Sequence, residues 1–168
     1  MALSQQIVEA EKKQENRFVM IHEIAFKNQK KVLQAFIDCK VSSQCFAGST
    51  GYGYDDVGRD TLTKVYAKIF GGEKAIVSPI LTCGTHAIST VLYGLLRPGD
   101  TMLSITGMPY DTLQETLFGK NNGSLEQFGV KYQQIELNPD SSFNVDAITA
   151  SLRELQPAVV YLQRSRGY

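Results

Sequence analysis

Two short stretches carry side chains whose types and spacing could do chemistry. One is Cys83-Gly84-Thr85-His86-Ala87-Ile88; the other is Met108-Pro109-Tyr110-Asp111-Thr112. Gly84 and Thr85 stand between an apolar run, read as a strand, and the first turn of an apolar helix. A helix start leaves N–H groups unpaired and carries a partial positive charge, so it attracts anions. Gly84 lets the backbone come close to an anion, and the Thr85 hydroxyl adds a donor. The plain alternative is a threonine that merely caps its helix. Tyr110 opens the next helix after the next strand, where an aromatic ring can cover a planar ligand. It can equally pack its ring beneath the helix start. In an open α/β sheet ligands gather at the carboxyl ends of strands, and both features belong to that end.

The neighbouring reactive groups read more blandly. His86, in a first helical turn, is better taken as a structural hydrogen-bonding group than as a base. His22 sits in a helical stretch and reads as a surface or packing residue. Cys83 has no base beside it, so the inert small-residue reading is preferred over an activated thiol. Arg164 and Arg166 could bind a carboxylate bidentately, but solvated strand ends are the more frequent case. There is no Ser-His-Asp signature, zinc-ligand spacing, Walker loop or GxGxxG, so no catalytic group and no metal ligand set is assigned.

Composition sets the outer bounds. The chain has 168 residues, enough for one sizeable core and marginal for two. Seventeen basic and seventeen acidic residues cancel, which argues against nucleic acid or an anionic membrane as partner. Cys39, Cys45 and Cys83 form no CxxC, so free thiols in a reducing compartment are expected. The polar N-terminus lacks a secretory h-region, and no apolar run approaches the roughly 20 residues that span a bilayer. A soluble, cytoplasmic protein is the expectation.

The elements that must position these residues follow from periodicity. Residues 4–38 read as one helix, with Phe18, Ile21, Ala25, Val32, Leu33, Phe36 and Ile37 as its apolar face. Residues 40–60 form a glycine- and tyrosine-rich loop around Tyr52 and Tyr54, with Gly48, Gly51, Gly53 and Gly58. A helix from Asp60 to Phe70 stops at Gly71-Gly72. Strand and helix then alternate. Ala75–Leu81, Thr101–Thr106, Lys131–Leu137 and Ala158–Gln163 read as strands. Thr85–Leu96, Asp111–Phe118 and a segment capped by Asn144 read as helices. Arg97-Pro98-Gly99-Asp100 is a turn. The pattern predicts an α/β fold with a parallel-rich sheet and flanking helices, preceded by an N-terminal helical segment. Residues 1–60 are taken as that segment with its loop, and 61–168 as an incomplete large domain whose last strand is an exposed edge.

Taken together, TGYGYDDVGRDTL, CGTHAI, LYGLLRPGD, TGMPYDTL and VVYLQRSRGY resemble the aluminium-resistance or methionine gamma-lyase-like branch of the Cys/Met-metabolism pyridoxal 5'-phosphate (PLP) enzymes, of fold type I. The resemblance implies that Gly84 and Thr85, with Cys83 beside them, grip the cofactor phosphate, and that Tyr110 stacks on its ring. It implies that Tyr54 reaches a neighbouring subunit's site, so the full-length protein is a homo-oligomer, a dimer or tetramer. The substrate implied is a small amino acid, and the reaction a carbon–sulfur elimination. Departures occur at Cys83, where the family usually has Ser, and at Ser78 and Ile80, where close relatives carry Arg and Gln; Arg59 departs from the family's Tyr-x-Arg spacing. The family's ring-nitrogen aspartate and cofactor-bonding lysine lie beyond residue 168. None of Lys64, Lys68, Lys74, Lys120 and Lys131 stands in the lysine's context. The chain is therefore expected to be the N-terminal portion of such an enzyme, inactive alone. The rival readings are a non-catalytic fragment or pseudo-enzyme that keeps the fold, and another phosphate-ligand-binding α/β domain.

Overall fold

A computed structural model describes residues 3–52, 54 and 56–164. Gly53 of the glycine-rich loop and Arg166 lie outside the described residues. The chain forms two compact units, Met1–Pro79 and Ile80–Tyr168.

The first unit is helical. The single helix expected over 4–38 is divided into α1 (Leu3–Lys13) and α2 (Glu15–Asp38). Gln14 leaves helical geometry at φ −104°, ψ 4° and bonds back to the Glu11 carbonyl in a tightened turn. The expected apolar face is mostly in solvent: Phe18, Ile21, Leu33 and Ile37 are exposed, and Ala35 is the buried residue of α2. α3 (Val57–Phe70), which packs on α2, has 14 residues against 24 and leaves most of this face without a partner among the described residues, Leu33 and Ile37 near its own end included. Asp56 caps α3 by accepting the Arg59 N–H, and an Asp38–Lys68 ion pair ties α2 to α3. The hydrogen bonds from Arg59 N–H and the Ser49 hydroxyl hold the Asp56 carboxyl below its usual range. The stop at Gly71-Gly72 is as expected: Gly71 is left-handed at φ +68°, and the Gly72 N–H closes on Ala67.

Ala75–Leu81 forms no strand among the described residues. An apolar run becomes a strand only where a neighbour takes its backbone groups, and Ile76 and Ile80 both face solvent.

The second unit is a layered α/β structure. α4 (Gly84–Leu95) precedes β1 (Thr101–Ser104), α5 (Asp111–Phe118), β2 (Lys131–Gln134), α6 (Val145–Leu155) and β3 (Val159–Tyr161). The sheet has order β2-β1-β3 and both pairings are parallel. Its strands are shorter than the sequence suggests, yet each lies within its expected span. β1 is central, and β3 is an edge as anticipated. α5 lies in the crossover from β1 to β2 and α6 in the one from β2 back across to β3; parallel crossovers of the usual right-handed sense in these two directions cover opposite faces. Met102 packs with Leu92, Leu96, Leu113, Leu117, Leu125 and Val130 beneath α4 and α5. Leu103 points the other way by strand alternation and is equally buried.

Local chemistry sets several of the element ends. Arg97 follows α4 and donates to the carbonyls of Tyr93, Gly94 and Leu96, a cation at a helix's negative end. Asn144 caps α6 by accepting the Ala147 N–H, as expected. Gly107 turns the chain out of β1. Its φ is +76°, its N–H bonds to Ile135, and a Cβ there would meet the Glu136 carboxylate. Gly107→Ala is therefore expected to lose about 1–3 kcal/mol of stability from the left-handed backbone alone. Gly94→Ala, in helix α4 with open space around it, should gain about 0.5–1 kcal/mol. Chemical denaturation of the two variants reads both values.

Candidate functional site

The site is built where α4 and α5 begin. Cys83 is the N-cap of α4, extended at φ −159°, and its sulfur accepts the His86 N–H at 3.4 Å. Thiol sulfur is a weak acceptor, so this cap is poorer than serine would provide. Gly84 and Thr85 are the first two residues of the helix, and their N–H groups have no carbonyl one turn back to bond to. A Cβ built on Gly84 would meet nothing within 4 Å, so the backbone at this position faces open space.

Tyr110 is the N-cap of α5 at φ −61°, ψ 157°. Its phenol makes no cap hydrogen bond and turns toward α4 instead, where it lies 2.8 Å from the Thr85 hydroxyl. Thr112, in the first turn of α5, brings its own hydroxyl to 3.0 Å from the same Thr85 oxygen. Three hydroxyls thus share two hydrogen bonds. Two of the three protons are used internally, which leaves one O–H for an outside acceptor. One turn further along, Ser89 and Thr116 repeat the contact at 2.9 Å. Both Thr85/Thr112 and Ser89/Thr116 are 27 residues apart, so α4 and α5 run side by side in the same direction. Their positive ends meet at one place. Asp111 opposes that field, although its carboxylate is engaged at 2.7 Å by the Thr112 N–H.

The structure brings Cys83, Gly84, Thr85 and Tyr110 together on the second unit. Tyr54 stands on the first unit with its ring exposed, as does Tyr52. His86 is turned back on the chain: its Nδ1 lies 3.3 Å from the Thr82 N–H and accepts it, which leaves the ring hydrogen on Nε2. That is the structural role expected of it. His22 and Arg164 are exposed. The described residues hold no cluster of His, Cys, Asp or Glu able to bind a metal, and no helix long and apolar enough to cross a membrane.

Three residues of the constellation escape a motif reading. Thr112 lies in a quoted motif but shows its part only through the second hydroxyl pair; the i, i+4 hydroxyls Thr85/Ser89 and Thr112/Thr116 are the signal that could have found it. Gln163 and Thr106 meet across the carboxyl ends of β3 and β1, where the Gln163 N–H donates to the Thr106 hydroxyl at 3.1 Å. No spacing in the sequence announces that contact.

The donor set suits a phosphate: the Gly84 and Thr85 N–H groups at the start of α4, a spare hydroxyl proton shared with α5 and open space at Gly84. Residues 3–168 match the methionine gamma-lyase family. The chain belongs to that family. The uncharacterized protein YnbB of Bacillus subtilis (strain 168) is 48% identical over 151 residues, which are 88% of this chain and 36% of that protein. A carbon-sulfur lyase involved in aluminum resistance from Clostridium novyi NT superposes with a TM-score of 0.88 at 42% identity, over 94% of this chain and 38% of its own. A candidate cystathionine beta-lyase involved in aluminum resistance from Listeria innocua gives 0.88 at 45% identity, over 100% of this chain and 42% of its own. The chain spans 36% to 42% of the length of these three relatives. The family assignment and the mixed α/β fold with a parallel sheet agree with the sequence reading.

The cap gives a direct test. Cys83→Ser replaces a weak acceptor on an exposed N-cap by a strong one and is expected to raise stability by about 1 kcal/mol. Thermal or denaturant unfolding measures it, and an unchanged midpoint would show that the sulfur bond matters little.

Proposed function

We propose that this chain is the N-terminal portion of a PLP-dependent carbon–sulfur lyase acting on a small amino acid of the cysteine and methionine group. The observation that carries the reading is the 2.8 Å contact between the Thr85 and Tyr110 hydroxyls, which joins an anion-attracting turn to an aromatic ring in one site. Gly84 and Thr85, with Cys83 as the cap, would hold the cofactor phosphate. Tyr110 would lie against the ring, and Tyr54 would serve the site of a second copy in a homo-oligomer. PLP, when bound, supplies an electron sink for chemistry at the α-carbon of an amino acid. The residues of this chain bind and orient; none of them is assigned a proton to move.

The lysines support inactivity of the chain alone. In the second unit Lys131 opens β2 opposite Thr101, at the amino edge of the sheet, and Lys120 follows the carboxyl end of α5. Both lie at the ends away from Thr85 and Tyr110. The names of the relatives, lyases tied to aluminum resistance, support the reaction class.

Titration of the chain with PLP, followed by the cofactor's absorbance and by tyrosine fluorescence, should show saturable binding that inorganic phosphate competes. Gly84→Ala should fold as well as the parent, because a Cβ there meets no protein atom. It should nonetheless weaken PLP about tenfold, the scale of one hydrogen bond to a charged group. Equal affinity of the two chains would remove Gly84 from the site, and no binding by the parent would remove the cofactor. In a protein translated beyond residue 168, borohydride should fix the cofactor to a lysine. Failure there ends the enzyme reading.

A further inference from the structure

The Tyr110 N–H lies just outside α5, where no helical carbonyl can take it, and it needs an acceptor from elsewhere in the chain. Gln163 supplies it. Its Oε1 accepts the Tyr110 N–H at 3.2 Å across 53 residues and also accepts the Tyr161 hydroxyl at 3.2 Å. The Gln163 backbone N–H is itself tied to the Thr106 hydroxyl at 3.1 Å. The amide oxygen is therefore fixed from both sides, by the end of β3 and by the loop leaving β1. Gln114 holds the other side of the turn, donating to the Pro109 carbonyl at 2.9 Å. Burial, and after it the neighbouring Tyr110, push the ionisation of the Tyr161 phenol above its ordinary value.

We infer that Gln163 is the positioning residue for Tyr110: through the backbone N–H it sets where the Tyr110 ring stands over the α4 anion turn, and so governs how the chain orients a flat anionic ligand. The inference rests on the proposed PLP site and adds a determinant that makes no contact with the ligand itself. A backbone anchor of this kind acts through ring placement, where errors of a fraction of an ångström are costly.

The test is a double-mutant cycle on the full chain with PLP as probe. Gln163→Leu should raise the Kd for PLP about tenfold, and shrink the circular dichroism induced in the cofactor's absorption band, while Tyr110 amide exchange speeds up. In a Tyr110→Ala background, where no ring is left to place and the phosphate turn alone binds, the same change should alter Kd less than twofold. Such non-additivity marks action through Tyr110. Tyr161→Phe removes the hydroxyl bond to the same amide oxygen and should leave PLP affinity within twofold. The inference is overturned if Gln163→Leu costs the same in both backgrounds, or if Tyr161→Phe matches it, for then Gln163 merely fastens the end of β3. Should the leucine variant not fold, Gln163→Asn, one methylene too short to reach Tyr110, is read identically. A parent that fails to bind PLP sinks the site and the inference together. A parent that binds, with a Gln163 variant that binds equally well, sinks only the inference.

Discussion

β1 is buried on both faces and paired on both edges, and the rest of the second unit follows from that. Met102 and Leu103 point to opposite sides of the strand, and each is 1% exposed. A strand closed off in this way needs a helical layer on each side. α4 and α5 together make one of them, with Leu113 and Leu117 sealed against Met102. Helices that connect parallel strands start at the carboxyl edge of the sheet. α5 connects β1 to β2 in this way, and α4, which leads into β1 and packs beside α5 in the same direction, opens at the same edge. The matching hydroxyl contacts at Thr85/Thr112 and Ser89/Thr116 record that parallel packing. The electropositive corner is a consequence of covering β1, not an addition to it.

What turns this corner into a candidate site is polar detail. The Thr85 hydroxyl is shared between Tyr110 and Thr112, which leaves one proton over. Gly84 keeps the approach open. Cys83 caps with sulfur where a hydroxyl would cap better, and Asp111 places a carboxylate beside the positive ends. These last two features weaken an anion site, and they are where this chain departs most from an ideal phosphate cup.

Much of the organisation is legible in the residues. Gly71-Gly72, Arg97-Pro98-Gly99-Asp100 and Asn144 act where their local chemistry says they should, because caps and turns are made within a few residues. α5 begins and ends at the expected positions. The failures share one cause. Ala75–Leu81 is apolar enough for a strand but has no strand neighbour, and most of the apolar face of α2 has no partner among the described residues. The stripe of α4 likewise divides: Leu92 and Leu96 enter the core, whereas Val91 and Leu95 stay in solvent. Hydrophobic pattern shows which residues could be buried; only a partner surface buries them.

By itself the sequence determined the α/β class, the order of elements in the second unit and the pairing of a glycine-threonine turn with a tyrosine at a later helix start. Those properties are local, or follow from the alternation of short periodic segments. Tertiary structure alone decided that the Thr85 and Tyr110 hydroxyls touch, that Thr112 joins them and that Gln163 holds the Tyr110 backbone. The reason is distance along the chain: contacts 25, 27 and 53 residues apart are set by how strands and helices stack, which no short window of sequence encodes.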